Sequence, residues 1–517
     1  ITVMPKIAQR TAASVASIPA PVGGWNVRDS LANMSPTDAV TMTNFFPTVS
    51  SVNLRGGYSK WSTGITGQVD TVMAYETGSV SKLFGIADGK IYNCTTQGAV
   101  GAAEKTGLTN SRFENINVTT AGGSYLYACN GVDDPLLYNG TTWLSVNASS
   151  SPIAITGITT NKFNNVTLFK NRVWFIEKES LKAWYLPTNS VGGAAEVLDL
   201  SSIARMGGYI VSLSAWTIDA GYGVDDNLVF VTSQGEIIVY RGTDPSSAST
   251  WALAGVWKLG APVSRRCLYK YGGDLLILSL DGLLPLASAL QSSRLDPRVN
   301  LSDKIQGAIT EVTTAYQNSF GWTLLYHAKN NALWINVPVG LGVQEQFVMN
   351  TITKSWTKFT GWAANCWETF NDNPYFGGNG FVGLAWNGYV DDINDINAIA
   401  LQAFNYYESR GVKKYFTRAR PSIFTDGTPS ILVGINVDFD VSNTTGALNF
   451  SPTSYGLWDT SVWDNSLWAG GTIITNNWQG VTGIGYCAGI QLKSASQGLQ
   501  IEWASTDVVF QQGWAGI

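Results

Sequence analysis

A chain of 517 residues exceeds what one compact core organises, so two or three domains, or one large repetitive domain with appendages, are expected. Charged residues make up 13% of it, about half the usual share, and Lys+Arg 32 against Asp+Glu 37 leaves a net charge of -5. That balance argues against tight nucleic-acid binding, which needs a basic surface, and a surface so poor in charge suits burial in subunit interfaces.

Residues 1 to about 24 mix small side chains with Pro19, Pro21, Gly23 and Gly24 and read equally well as an extended arm or a disordered tail. Ser35 before Pro36 fits an N-cap with proline in the first helical position, so a short helix is expected ahead of Phe45 and Phe46. Residues 1–66 are therefore assigned to an N-terminal arm and lead-in. No stretch reaches the roughly 18 apolar residues of a membrane span, and no secretory h-region stands near the N-terminus. A soluble compartment, or release by lysis, follows as the expectation.

From about residue 67 onward one unit recurs: an apolar strand, a short turn, and a second apolar strand. The copies are LFGIADGKIYNC, LYACNGVDDPLLYNGTTW, RVWFIEKESLKAWYL, LVFVTSQGEIIVYRG, LLILSLDGLLPL, LLYHAKNNALWINV and PYFGGNGFVGLAW. Asp-Gly, Gln-Gly and Asn-Gly at the tips supply the positive φ that hairpin turns require. The turn centres, from Gly89 through Gly140, Glu179, Gly235, Gly282 and Asn331 to Gly380, recur about every 48 residues, the period of four-stranded blades that stack around an axis. An all-β fold is expected, with a six- or seven-bladed β-propeller over residues 67–395. Two β-sandwiches in series also give closely spaced strands, but they demand no such period.

After Asp391, Asp392 and Asp395 the texture changes, and residues 396–517 read as a C-terminal β domain. Its basic run, Lys413, Lys414, Arg418 and Arg420, alternates as an exposed strand does. Trp458, Trp463 and Trp468 recur every five residues, with Trp478 ten further on, a step that fits neither one helix face nor one strand face. A ladder of turns, used as structural filling or as interface anchors, fits better than a sugar-binding platform.

Chemistry-bearing residues are few. A single histidine, His327, builds no His-rich zinc site, and its position beside a hairpin turn suits a packed or surface imidazole. The five cysteines, Cys94, Cys129, Cys267, Cys366 and Cys487, are scattered and read as buried thiols. Asp133-Asp134 and Asp391-Asp392 could serve glycoside hydrolysis, which needs only two carboxylates, and Asp391, Asp392 and Asp395 could hold Ca²⁺. Solvated loop carboxylates are the plainer account of both. The S-x-D-x-G-x-x-W turn of sialidase-like propellers is absent, SLDGLLPL carrying its first part alone. No catalytic, cofactor-binding or metal residue is assigned, and no cofactor is expected.

The segment PVGGWNVRDSLANMSPTDAVTMTNFFPTVSSVNLRGGYSKW resembles the N-terminal signature of the podovirus tail-nozzle family, also called tail tubular protein B or head-completion stabilisation proteins. Gly23, Gly24, Trp25, Asn26, Arg28, Asp29, Asp38, Ala39, Asn44, Pro47, Arg55 and Gly57 carry the resemblance. VMNTITKSWTKFTG, YFGGNGFVGLAWNG and the Trp-Asp pairs at Trp458 and Trp463 look like the same family. The resemblance implies a non-enzymatic virion protein, assembled in the host cytoplasm into a homohexameric ring that closes the distal tail of a bacteriophage. The ring would dock on the adaptor and portal side, carry tail fibres or spikes, and let double-stranded DNA pass without binding it specifically during ejection. A glycan-binding or glycan-hydrolysing β-propeller on a virion or cell surface is the competing expectation, and a bacterial surface adhesin a third.

Overall fold

The computed structural model describes residues 13–219, 224–290, 299–444 and 473–513. The fold is all-β with a propeller-like arrangement of sheets. Among the described residues the longest helix is Gln306–Tyr316. Among the described residues no helix is long and apolar enough to cross a membrane. The chain divides into two units: residues 1–58, 348–361 and 386–517 form one, and residues 59–347 with 362–385 form the other.

The larger unit is a succession of antiparallel meanders. Three have four strands each and open on Glu114–Thr120, Phe163–Phe169 and Ile210–Asp219; a three-stranded one opens on Leu268–Tyr271. All seven hairpins read from the sequence form here, because their turns are settled locally. Asp88 and Gly89 take φ of 48° and 66°, the paired positive values of a tight hairpin turn, and Glu179 and Asn331 take 55° and 49° at theirs.

The near-continuous apolar runs have a geometric cause. Side chains alternate between the two faces of a strand, and here each face meets a different neighbouring sheet. Within Gly123–Cys129, Leu126 and Ala128 join Met73, Phe84 and Tyr138 in one cluster, whereas Tyr127 and Cys129 join Phe163 and Phe175 in the next. Val173 and Phe175 likewise pack one way, and Trp174 and Ile176 the other, against Phe230 and Trp251. Such a sheet buries neither face alone, so stacking is obligatory. The long strand Tyr58–Glu76 lies between Asn379–Ala385 and Ser81–Ala87 in one sheet, so the end of this unit is hydrogen-bonded to its beginning. Ile65, Val69 and Val72 of that strand share a core with Cys366, Phe370 and Val382.

The smaller unit is assembled from three separated stretches of chain. In one of its sheets Lys414–Thr425 and Ile501–Gln512 pair along their length, and Ala13–Pro19 adds to the latter from Ala13 opposite Gln511 to Pro19 opposite Ser505. The segment read as an arm or tail is thus, from residue 13, a strand of this sheet. In the other, Asp38–Thr43 pairs with Ile396–Gln402, which pairs with Ala488–Ser496, which pairs with Ser430–Val437. Both contribute to one core that includes Met42, Phe45, Ile423, Leu492, Trp503 and Phe510.

Two expectations are corrected. The helix after Ser35-Pro36 does not form: Asp38 N donates to Ser35 O at 2.9 Å, closing a turn that feeds the strand Asp38–Thr43. Pairing of Asp38–Thr43 with Ile396–Gln402 prevails over the local proline signal. The basic run is exposed only in part: Lys413 and Arg418 are exposed, Arg420 is half-buried and Lys414 is buried. Lys414–Thr425 lies inside its sheet with every second residue buried, and Lys414 is 0% exposed, donating to the carbonyls of Ser409, Val412 and Tyr486. Burial lowers the pKa of that amine. Arg420 pairs with Asp507 at 2.6 Å and lies 4.7 Å from the Trp478 ring. Trp458, Trp463 and Trp468 lie outside the described residues.

Candidate functional site: an axial cavity and its basic mouth

Seven strands of the larger unit line one cavity of about 310 Å³. Val72 comes from the first and Glu114–Ile116 from the second; Trp367 and Glu368 come from the last. The strands between contribute Asn165–Thr167, Ser212–Ser214, Leu268–Lys270 and Thr323–Leu325. The lining is polar where the flanking faces are apolar, as expected of strand edges that meet water rather than a neighbouring sheet.

Glu114 organises the charge. Its Oε1 lies 3.0 Å from Arg265 Nε and 2.8 Å from Arg266 Nε, so two guanidinium groups share one carboxylate. Arg265 Nη1 donates to Asn164 Oδ1 at 2.7 Å, and Arg266 Nη2 donates to Phe113 O at 2.7 Å. Burial lowers the pKa of Arg265 against the pull of Glu114; for Arg266 burial is the largest single influence and also lowers it, but Glu114, Cys366 and Glu368 together leave it raised. Burial pushes Glu368 up to about 7, against a backbone hydrogen bond from Thr369 and the charge of Arg266.

Arg265 and Arg266 also line a second, wider cavity of about 570 Å³, formed by the loops that lead into the lining strands. Arg112 and Lys178 stand on its wall, and the Arg112 guanidinium lies 4.2 Å from the centre of the Phe320 ring. These cations were not singled out by sequence reasoning. The sole local signal was the adjacent pair Arg265-Arg266 ahead of an apolar strand in a chain with so few charges.

The residues that were singled out lie elsewhere. Asp133 accepts from Thr109 N at 2.9 Å, Thr109 Oγ1 at 2.6 Å and Asn130 Nδ2 at 2.7 Å. Asp134 accepts from Thr160 Oγ1 at 2.8 Å and Asn147 Nδ2 at 3.0 Å. Both fasten loops. Asp391 and Asp392 belong to the other unit. His327 is buried beside the Trp334 ring, and its pKa is lowered by burial first and by Lys329 second. All five cysteines are buried and free. Burial pushes the thiols of Cys94 up to about 11 and of Cys267 and Cys366 up to about 12.

In the smaller unit Arg55 is 0% exposed and all five of its N–H donors are met. It donates twice to Asp391, at 2.9 and 2.5 Å, and to Asn44 Oδ1, Gly56 O and Thr360 O. Asn44, at φ 60°, also reaches Thr360 Oγ1 and Asn397 O. One cation thereby ties together all three stretches of chain that build the unit. A side chain at Gly57 would meet Val390 O at 1.9 Å, so glycine is required for that approach. Asn26, in turn, bridges Asp29 and Asp38 at 2.8 Å each.

No protein-family model matches the sequence, and no curated protein does. Among solved structures, similarity is found to the extracellular domain of a hybrid two-component system from B. thetaiotaomicron, at 12% identity and a TM-score of 0.38 over 64% of this chain. This chain spans 41% of the length of that one. YCF48 bound to D1 peptide gives 12% identity and 0.37, with 64% of this chain and 94% of that one covered. BBS1N in complex with ARL6DN gives 9% and 0.36, with 68% and 94% covered.

Proposed function

We propose that this chain is a structural subunit of the tail nozzle of a short-tailed bacterial virus, and that its larger unit is a seven-bladed β-propeller. The observation that supports the first part is the use made of the residues carrying the resemblance. Gly24, Asn26, Asp29, Asp38, Asn44, Arg55 and Gly57 are fold-determining groups of the smaller unit, its turns, close approaches and buried ion pair. A resemblance at such positions is a resemblance of architecture. The blade number is supported by the seven lining strands.

In this reading the subunits assemble into a ring, six being the family's usual number, and DNA takes the lumen of the ring. The axial cavity within one chain is no route for a duplex, because about 310 Å³ amounts to about ten waters. The ring contacts a tail adaptor above and bears fibres or spikes, and the chain acts mechanically, as no enzyme. The test is electron microscopy of virions labelled with an antibody against this chain. Label in a ring at the tail tip is the expected result. Label on fibres, or virions that carry none, would overturn the reading.

A further inference from the structure

The wide cavity, which shares Arg265 and Arg266 with the axial one, carries Arg112, Lys178, Arg265 and Arg266 on its walls and, among the described residues, no carboxylate. In a chain whose acids outnumber its bases, four cations around one concavity form a local excess. The neighbouring counter-charge falls short of them. Glu114 is divided between Arg265 and Arg266, Glu368 near Arg266 is held toward its neutral form by burial, Asp70 stands 3.4 Å from Arg112, and Lys178 makes no ion pair among the described residues. Arg265 and Arg266 retain only 21% and 15% of their side-chain exposure. A surplus of guanidinium charge held largely out of water is costly until an anion completes it.

We propose that this mouth is a binding site for an acidic saccharide, an oxyanion carried on a polyhydroxylated ring. Guanidinium forks match the paired oxygens of a carboxylate or phosphate. The exposed amides of Gln317 and Asn318 on the wall suit ring hydroxyls, and Tyr209, 43% exposed, offers a flat face to the apolar side of a sugar. The volume lies within the range of small-molecule sites. A bound peptide would instead need a free strand edge or apolar pockets, and a duplex would need cations in a stripe across many phosphates. The inference is independent of the nozzle reading, since it concerns what the larger unit binds and not where the chain is assembled.

The test titrates the full chain by calorimetry at low salt with trigalacturonic acid, glucose 6-phosphate, neutral maltotriose, inorganic phosphate and a short DNA duplex. One of the two acidic sugars should bind at least about tenfold tighter than maltotriose and than phosphate, and which of the two does so identifies the oxyanion. Lys178→Gln and Arg112→Gln, both at exposed positions, should each weaken it by about fivefold to tenfold with melting temperature unchanged. Equal affinity for maltotriose, binding of bare phosphate alone, tighter binding of the duplex, or no heat with either acidic sugar at millimolar concentration would each overturn the proposal.

Discussion

Arg55 in the smaller unit and Arg266 in the larger one each meet a carboxylate, yet the two contacts are built to different ends. Around Arg55 donors and acceptors are matched, five against five, with both oxygens of Asp391 engaged and the guanidinium fully enclosed. Around Arg266 they are mismatched: a second arginine competes for the same oxygen of Glu114, and an open cavity adjoins both. A saturated ion pair locks chain segments together and has nothing left to offer a ligand. One with surplus cation is a weaker lock and a stronger attractor for an anion.

The largest effect is expected at the saturated pair. Arg55→Met leaves Asp391 enclosed without its partner, and breaking a buried pair in this way costs about 3–5 kcal/mol. The double variant Arg55→Met with Asp391→Leu should recover much of that loss, since it removes both desolvated charges. Urea denaturation of the three proteins measures the difference. A cost below about 1 kcal/mol for the single variant would mean that water reaches Asp391 and that Arg55 is no lock.

The unsaturated end is probed by pH. Glu368 has its folded pKa raised from 4.5 to about 7, so folding favours its neutral form. The stability it contributes is fully present below about pH 4.5 and is lost as pH rises through about 7. Glu76 and Glu114 act in the same direction as burial, and Arg266 opposes them. After allowance for its partial exposure, the loss between pH 5 and pH 8 amounts to about 2 kcal/mol. Glu368→Gln should flatten that dependence and be the more stable protein at pH 8. Parallel stability curves for the variant and the parent would remove Glu368 as the cause.

The same contrast explains what could be read before the structure was known. The hairpins were legible because their determinants are adjacent in sequence: the turn at Asp88-Gly89, the strands on either side, and alternation that makes both faces apolar. The smaller unit was not, because Ala13–Pro19 finds its partner almost five hundred residues away and Asn44 finds Thr360 and Asn397 across the intervening larger unit. No local pattern encodes a pairing at that separation. At Ser35-Pro36 a genuine local signal pointed to a helix, and the strand pairing of Asp38–Thr43 with Ile396–Gln402 overrode it. The mouth was illegible for a related reason: Arg112 lies about 150 residues before Arg265, and each is unremarkable alone.

The smallest effect comes from a carboxylate that is neither lock nor attractor. Asp133 drew notice as half of an acidic pair, and it is occupied by three donors from Thr109 and Asn130. Asp133→Ala leaves those donors to water at a part-exposed loop, which costs about 1 kcal/mol, the ordinary net worth of such hydrogen bonds. Thermal unfolding would register that as a small shift. Binding of whichever acidic sugar the parent takes should stay within about twofold, because the Asp133 side chain itself contributes no wall to the basic mouth. If the variant instead lost the binding outright, the loop it fastens, whose Asn130 and Val132 line the mouth, would depend on Asp133 for its shape. Arg112, two residues beyond Asn110 in the same stretch, would then be held by Asp133 rather than by Asp70 and Phe320.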